Sequence, residues 1–372
     1  MPIANLKMAS TQASTSTSSR GRFLQAGLLA ALLLLPALAW SAAPQAVVLM
    51  YHRVGESDYP STNVTVEQFR AHLDYLAEND FNVLPLDQII QALQTREPLP
   101  ERSVAITFDD GYSSVGEVAH PMLAERGWPY TVFVNTGPVD SGYSGYLGWD
   151  ELRALADEGV RFGNHSQSHA PLFARNPGET RSLWRERIRA DLSEARSRLI
   201  EELGAAVHQS PPLLAYPFGE YSIELMDLAA EMGFVAFGQQ SGALGEHANT
   251  LALPRYAMNE RFAEMDGFSV KVHSSPMPVV DQSPLDPVRQ TAEAPRLTLT
   301  LAADADITPA QVTCFYRAEV LQPEPLGDGR RFAVEAESDL PTGRSRYNCT
   351  APNPAGGFYW FSHLWIVGPG GS

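Results

Sequence analysis

The sequence predicts an α/β fold: about seven strands alternating with helices in a parallel sheet or barrel, followed by a small all-β domain. Three observations predict it. Short apolar segments without strict alternation recur between residues 47 and 255, as expected for strands covered on both faces. Helical patterns lie between them. Beyond residue 295 the pattern changes to alternating apolar and polar positions, the mark of a sheet with one covered face.

The apolar segments are 47–51, 104–108, 130–134, 160–162, 213–215, 234–237 and 251–253. The first helix is announced by Thr65, with Gln68 three residues on and Phe69, Leu73 and Leu76 at helical spacing, which is a capping box leading into an amphipathic run. Helices are also expected over 149–158, 181–203 and 223–232. Residues 274–295 hold Pro276, Pro278, Pro284, Pro287 and Pro295 with little periodicity, and read as a linker or an extended strap. In the segment that follows, 297–301 alternates cleanly, and 312–316, 332–337 and 359–365 do so more loosely. These make a small β domain over 296–372.

The length of 372 residues suits one large domain and a small one. With 44% hydrophobic and 19% charged residues, most of the chain should be globular. The net charge of -16 argues against a nucleic-acid partner, which needs a basic face. At the N-terminus, Lys7, Arg20 and Arg22 precede an apolar run from Ala26 to Trp40, and Ala37-Leu38-Ala39 and Ser41-Ala42-Ala43 offer small residues for cleavage. Residues 1–43 therefore read as a signal peptide, with an uncleaved membrane anchor as the alternative. Export to the periplasm or beyond is expected. Two cysteines, Cys314 and Cys349, both in the small domain, read as a disulfide in an oxidising compartment.

Chemistry is expected at the C-terminal ends of the strands. After the second strand comes Thr107-Phe108-Asp109-Asp110-Gly111. Neighbouring side chains on extended backbone point to opposite sides, so one carboxylate can bind a metal while the other stays free as a base. After the fourth comes His165-Ser166-Gln167-Ser168-His169. One helical turn would put both imidazoles on one face. Asp110, His165 and His169 would give a divalent metal, zinc by default, three protein ligands and leave positions for water and substrate. After the fifth, Tyr216-Pro217-Phe218-Gly219 makes a turn that can aim a backbone N–H into the site.

These three sites, in this order, resemble the polysaccharide deacetylases of the NodB-homology type (carbohydrate esterase family 4) over roughly residues 46–260. The segments Tyr51-His52-Arg53-Val54 and Leu147-Gly148-Trp149-Asp150-Glu151-Leu152 are similar to the branch that acts on poly-N-acetylglucosamine. The resemblance implies a deformed (β/α) barrel over 44–273. It also implies Asp109 as general base, Asp110, His165 and His169 as metal ligands, and the Phe218 amide as an oxyanion donor. The implied substrate is an N-acetylated extracellular polysaccharide, with exopolysaccharide export machinery as a possible partner.

Two departures stand out. Many members have Arg where this chain has Tyr216, and the late histidine that serves as general acid has only His273 as a candidate. Arg255 is expected to replace the missing arginine. His52, Trp149, Tyr216 and Arg255 are expected to line the substrate site, with Trp149 stacking on a sugar ring. Peptidoglycan or a chitin-type glycan as substrate, and a non-catalytic carbohydrate-binding protein on the same barrel, remain the alternatives. Tyr359, Trp360 and Trp365 in the small domain are candidates for glycan stacking or for its core.

Overall fold

The computed structural model describes residues 43–208, 210–327 and 329–368. The expected signal peptide lies outside the described residues, apart from Ala43. Seven parallel strands form the main sheet: β1 (Val47–Tyr51), β2 (Ser103–Asp110), β3 (Thr131–Val134), β4 (Arg161–Asn164), β5 (Leu213–Ala215), β6 (Val235–Phe237) and β7 (Tyr256–Ala257). Their order is β7-β1-β2-β3-β4-β5-β6, with the two-residue strand Asn82–Val83 added beside β2. A parallel bridge between Phe237 and Leu253 leads from β6 toward β7, which pairs with β1. The sheet thus curls into the deformed (β/α) barrel. Every residue of β1 and β2 is buried, which is why those segments do not alternate.

The longer helices are α1 (Val66–Glu78), α2 (Leu86–Thr95), α3 (Trp149–Asp157), α4 (Arg181–Leu203), α5 (Ile223–Glu231) and α6 (Met265–Val272). The capping box of α1 is formed: Gln68 N–H donates to Thr65 Oγ1 at 3.1 Å, and Thr65 N–H donates to Gln68 Oε1 at 3.0 Å. Such a cap is worth about 1 kcal/mol. It sets Phe69, Leu73 and Leu76 against the barrel, together with His72, whose ring stacks on Phe268 at 3.9 Å.

The C-terminal part departs from expectation in two ways. The Pro-rich stretch is not a free linker, because it carries β8 (Ser275–Pro276), β9 (Val279–Ser283) and β10 (Val288–Arg289). The strands that follow are β11 (Leu297–Leu301), β12 (Thr313–Tyr316), β13 (Glu319–Leu321), β14 (Glu324–Leu326), β15 (Arg331–Val334), β16 (Gly343–Pro352) and β17 (Phe358–Val367). One sheet runs β8-β17-β16-β12-β13, with β10 also on β17, and the other runs β9-β11-β15-β14. Pro276 is tolerated because β8 is an edge strand, where a missing N–H costs no ladder bond. Cys314 and Cys349, directly opposite each other on β12 and β16, form the disulfide.

Nor is the β part a separate domain. One face of β17 puts Trp365 and Val367 into its own β core, where Tyr347 is also buried. From the other face Leu364 and Ile366 join the barrel core around Leu214, Tyr216 and Leu225. Trp360 meets Tyr256 edge-on at 5.4 Å. Trp365 is fully buried, which removes it as a glycan-stacking residue. A fragment ending at His273 is therefore expected to be insoluble or much less stable, since it exposes apolar area worth about 25 cal/mol per Å². Thermal unfolding of the full chain should show one transition. Two well-separated transitions, with a soluble folded fragment, would contradict the shared core.

Candidate active site

The catalytic end of the barrel is built from strand ends. Asp109 and Asp110 finish β2 beside β3, His165 directly follows β4, and Phe218 follows β5. As neighbours in sequence, the two aspartates face different partners. Asp109 is fully buried and clamped by Arg255, with Nη1 on Oδ1 and Nη2 on Oδ2, both at 2.7 Å. The guanidinium is itself fully buried. Its Nε donates to Gly238 O at 3.1 Å, and it lies 5.3 and 5.8 Å from the Phe133 and Phe237 ring centres. Burial pushes the Asp109 carboxyl up, but the Arg255 charge outweighs it, and the group is held below the usual range. Asp109 is thus an ionised, oriented carboxylate in a dry place.

Asp110 faces the histidines. Its Oδ1 lies 3.3 Å from His165 Nε2 and 3.1 Å from His169 Nε2. One ligand atom from each of the three residues lies within 4.8 Å of the others. His165 Nδ1–H donates to Ala215 O at 2.8 Å, which leaves Nε2 with a lone pair in the neutral ring. That lone pair points at a carboxylate oxygen that is buried without a hydrogen-bond partner. Electron pairs converging like this call for a cation between them. Two imidazoles and a carboxylate are a donor set that suits zinc and other divalent ions, so the residues fit a metal. Burial raises the Asp110 carboxyl, the histidines oppose it, and it is held well below the usual range as a carboxylate.

The histidine segment is not a helical turn. Residues 165–169 form a loop in which Ser166 and His169 have positive φ (66° and 51°). The loop is held from below: Ser166 N–H donates to Asn164 Oδ1, and the amides of Gln167 and Ser168 donate to Asp191 of α4. Its close fit against the β3 end is tight enough that a Cβ on Gly137 would lie 2.4 Å from Gln167 O. Asp110 (φ 74°) and Phe218 (φ 60°) are likewise left-handed. Four such positions in one site are stored strain of about 1–3 kcal/mol each, held by the surrounding packing. The Phe218 N–H donates to none of the described residues, and its ring meets His169 at 4.6 Å. The turn is pinned from outside by Arg344, which donates to Phe218 O.

The other expected site residues separate. His52 stands among the charges of Asp110, Asp109 and His165. Burial pushes its pKa down against the two carboxylates, leaving it neutral. Arg255 is a positioning residue on Asp109 rather than a substrate contact, because it is fully buried. Tyr216 is also fully buried, and its hydroxyl donates to Leu251 O at 3.0 Å, so it belongs to the core and cannot line the substrate site. Trp149 opens α3 and donates to Asp140 Oδ1 at 2.9 Å, with Arg198 over its ring. These contacts tie it to α4 and to the short helix Thr136–Asp140 rather than to the triad. His273 is no acid for this site: it caps α6, its ring lying against Phe81 and its Nε2 meeting Tyr75 at 3.2 Å.

Sequence reasoning missed a stack at the mouth. The Arg53 guanidinium lies 3.9 Å from the Tyr59 ring centre and 3.3 Å from that of Tyr112, which in turn meets Tyr146 at 4.8 Å. Arg53 adjoins His52 and Tyr112 adjoins Gly111, so their place beside two site motifs was the available signal. Asn135 and Thr136 were also missed. They follow β3 between the two motif strands and carry buried oxygens without partners, and the strand-end rule points to them.

Residues 96–237 match the family model described as Polysaccharide deacetylase. Over that span the chain is similar to polysaccharide deacetylases. The matched span holds Asp109, Asp110, His165, His169 and Phe218, while Arg255 and the β part lie beyond it. The match and the relatives below support a hydrolase acting on N-acetyl amide bonds. A putative polysaccharide deacetylase of Bacillus subtilis is 26% identical over 210 residues, covering 56% of this chain and 69% of that protein. A poly-beta-1,6-N-acetyl-D-glucosamine N-deacetylase of Escherichia coli is 25% identical, covering 56% of this chain but 36% of its own length. The Staphylococcus aureus protein of the same description is 24% identical over 61% of this chain and 84% of its own. Among solved structures, IcaB from Ammonifex degensii superposes with a TM-score of 0.53 at 22% identity, covering 62% of this chain and 97% of that one. The likeness there is one of fold.

Proposed function

We propose that this chain is an exported, metal-dependent deacetylase that removes N-acetyl groups from a poly-N-acetylglucosamine-like polysaccharide and releases acetate. The observation that carries it is the division of labour between the adjacent aspartates: Asp110 in a three-donor cation site, and Asp109 ionised, buried and clamped by Arg255. The substrate follows from the relatives described as acting on poly-beta-1,6-N-acetyl-D-glucosamine. Export is supported by the apolar run at 26–40 and by the Cys314–Cys349 disulfide.

A divalent ion, zinc by the donor set, supplies positive charge that polarises the acetyl carbonyl and makes water more acidic. Asp110, His165 and His169 would hold it. Asp109 takes the proton from the attacking water, and Arg255 keeps that carboxylate ionised and aimed. The Phe218 N–H, held in place by a left-handed turn, donates to the oxygen that gains charge in the tetrahedral transition state. His52 lies beside both carboxylates, within the site where the acetamide must sit. The water oxygen bonds to the acetyl carbon, the C–N bond breaks, the nitrogen takes the proton that Asp109 received and leaves as an amine, and the acetyl group leaves as acetate. The sugar unit gains a positive charge near neutral pH.

The test is acetate release from a β-1,6-linked N-acetylglucosamine oligomer, with and without a chelator. Release that stops with chelator and returns with a divalent ion is the expected result. Release that is indifferent to chelation of a demonstrably metal-free protein would remove the metal from the reading. Release from a peptidoglycan or chitin oligomer alone would move the substrate.

A further inference from the structure

A cleft of about 600 Å³ lies away from the triad. It opens where the loop after β6 meets β8, β9 and β17, at the seam between the barrel and the β part. Asp281, Asp304, Asp306 and Glu246 stand on its walls, and no lysine or arginine does among the described residues. Tyr359 and Trp360 present aromatic surface to it. Tyr359 is fixed by its hydroxyl, which donates to Asp306 at 2.9 Å, and Trp360 by Nε1–H on Ser362 Oγ at 3.1 Å.

The cleft has built polar features besides its acidic rim. Gln240 is 5% exposed: its amide donates to Ala252 O at 2.6 Å, and its Oε1 has no partner. His363 is 2% exposed and its Nε2 has no partner either. Burial pushes the His363 pKa down to about 3, so the ring is neutral and adds no positive charge to the wall. Buried polar atoms without partners are rare, and two lie in residues that line this one cleft. The same loop that forms the wall backs the catalytic pair, since Gln240 O accepts Arg255 N–H at 3.0 Å and Gly238 O accepts its Nε–H.

The geometry points to a second binding site in this cleft, for glycan whose amino groups have already been freed. This rests on the deacetylase reading, which makes such a glycan the product. The chemistry matches on each count. Every deacetylated unit carries an ammonium, which the four carboxylates can accept. Ammonium groups and sugar faces both sit well on tyrosine and tryptophan rings. A neutral, fully acetylated chain gains no charge attraction from the carboxylates, so the cleft favours product-rich over untreated polymer. Held there, a partly processed chain would stay on the protein while its acetylated stretch reaches the triad.

The test uses the full chain and needs no turnover. A fully de-N-acetylated glucosamine hexamer and the matching N-acetylglucosamine hexamer are titrated in calorimetry with chelator present, onto wild type and onto the Asp304→Asn/Asp306→Asn double variant. Both aspartates are exposed, so folding should be unaffected. Wild type should prefer the amine oligomer and bind it more weakly as salt rises. The double variant should bind it about five- to tenfold more weakly, as loss of two partly exposed charge contacts implies. Its acetate release from a short acetylated oligomer should be unchanged. Equal affinity for both oligomers, or unchanged binding by the variant, overturns the proposal. So does a dimer that the variant dissolves without any amine binding, which would make the cleft an interface between copies. If wild type releases acetate yet never binds the amine oligomer, the cleft site fails and the deacetylase stands. Asp304- and Asp306-dependent amine binding without acetate release would mean the reverse.

Discussion

Asp109→Asn is expected to slow acetate release by about 10²–10⁴-fold, the contribution of a positioned general base, while metal content stays at the wild-type level. The substitution keeps the shape of the side chain and removes only the charge and the proton acceptor. It also leaves Arg255 fully buried opposite a neutral amide, and an uncompensated buried charge costs about 3–5 kcal/mol. Lost rate and lost stability must therefore be separated. The pair Asp109→Asn/Arg255→Met removes both halves of the clamp. It should recover much of the thermal stability and none of the rate. Arg255→Met alone should lower both, since it leaves a buried carboxylate without its partner. Initial rates, metal per chain and thermal unfolding on the same preparations decide the matter. Near-normal turnover in a folded, metal-loaded Asp109→Asn protein would end the assignment of the base.

The barrel was legible because its strands are buried on both faces, and a run such as Val104 to Phe108 has no solvent face to alternate toward. The motif residues were legible because strand ends place chemistry where a parallel sheet opens. Interactions that close late in the chain were not. Arg255 is 146 residues from Asp109 and reaches it only because β7 returns beside β1; the sequence offers an arginine near a strand end, but no sign of its bidentate clamp. Tyr216 was expected in the site because it occupies the place of an arginine in many relatives. Its ring instead fills the core against Tyr221 and Leu364, as its apolar body favours. The His165 to His169 spacing was right for shared ligation and wrong about the backbone. The loop reaches the same convergence through two left-handed residues, supported by Asn164 and Asp191, which spacing alone does not encode. The Pro-rich stretch misled for a related reason. Proline excludes a central strand but not an edge, and β8 is an edge.

His169→Ala should abolish stoichiometric metal binding and lower acetate release by more than the 10–100-fold that loss of an outer-shell partner costs. His169 is the ligand to test first. Its side chain is 24% exposed and makes no structural hydrogen bond among the described residues, whereas His165 is buried and bonded to Ala215 O. The fold should survive its loss. The decisive reading is a difference of differences. In chelator, wild type and variant should unfold at similar temperatures, because without a cation the His169 lone pair only faces the Asp110 carboxylate. With zinc added at 100 times its dissociation constant, wild type should gain about 2.7 kcal/mol from mass action while the variant gains little. The gap between the two proteins must therefore open only when metal is present. Repeating the comparison with His165→Ala should show a gap in chelator as well, about 1–3 kcal/mol for the lost buried hydrogen bond and packing, and the same further opening with zinc. A gap that does not respond to metal in either variant would mean that Asp110, His165 and His169 are held together by something other than a cation, and the site would have to be rebuilt around a shared proton.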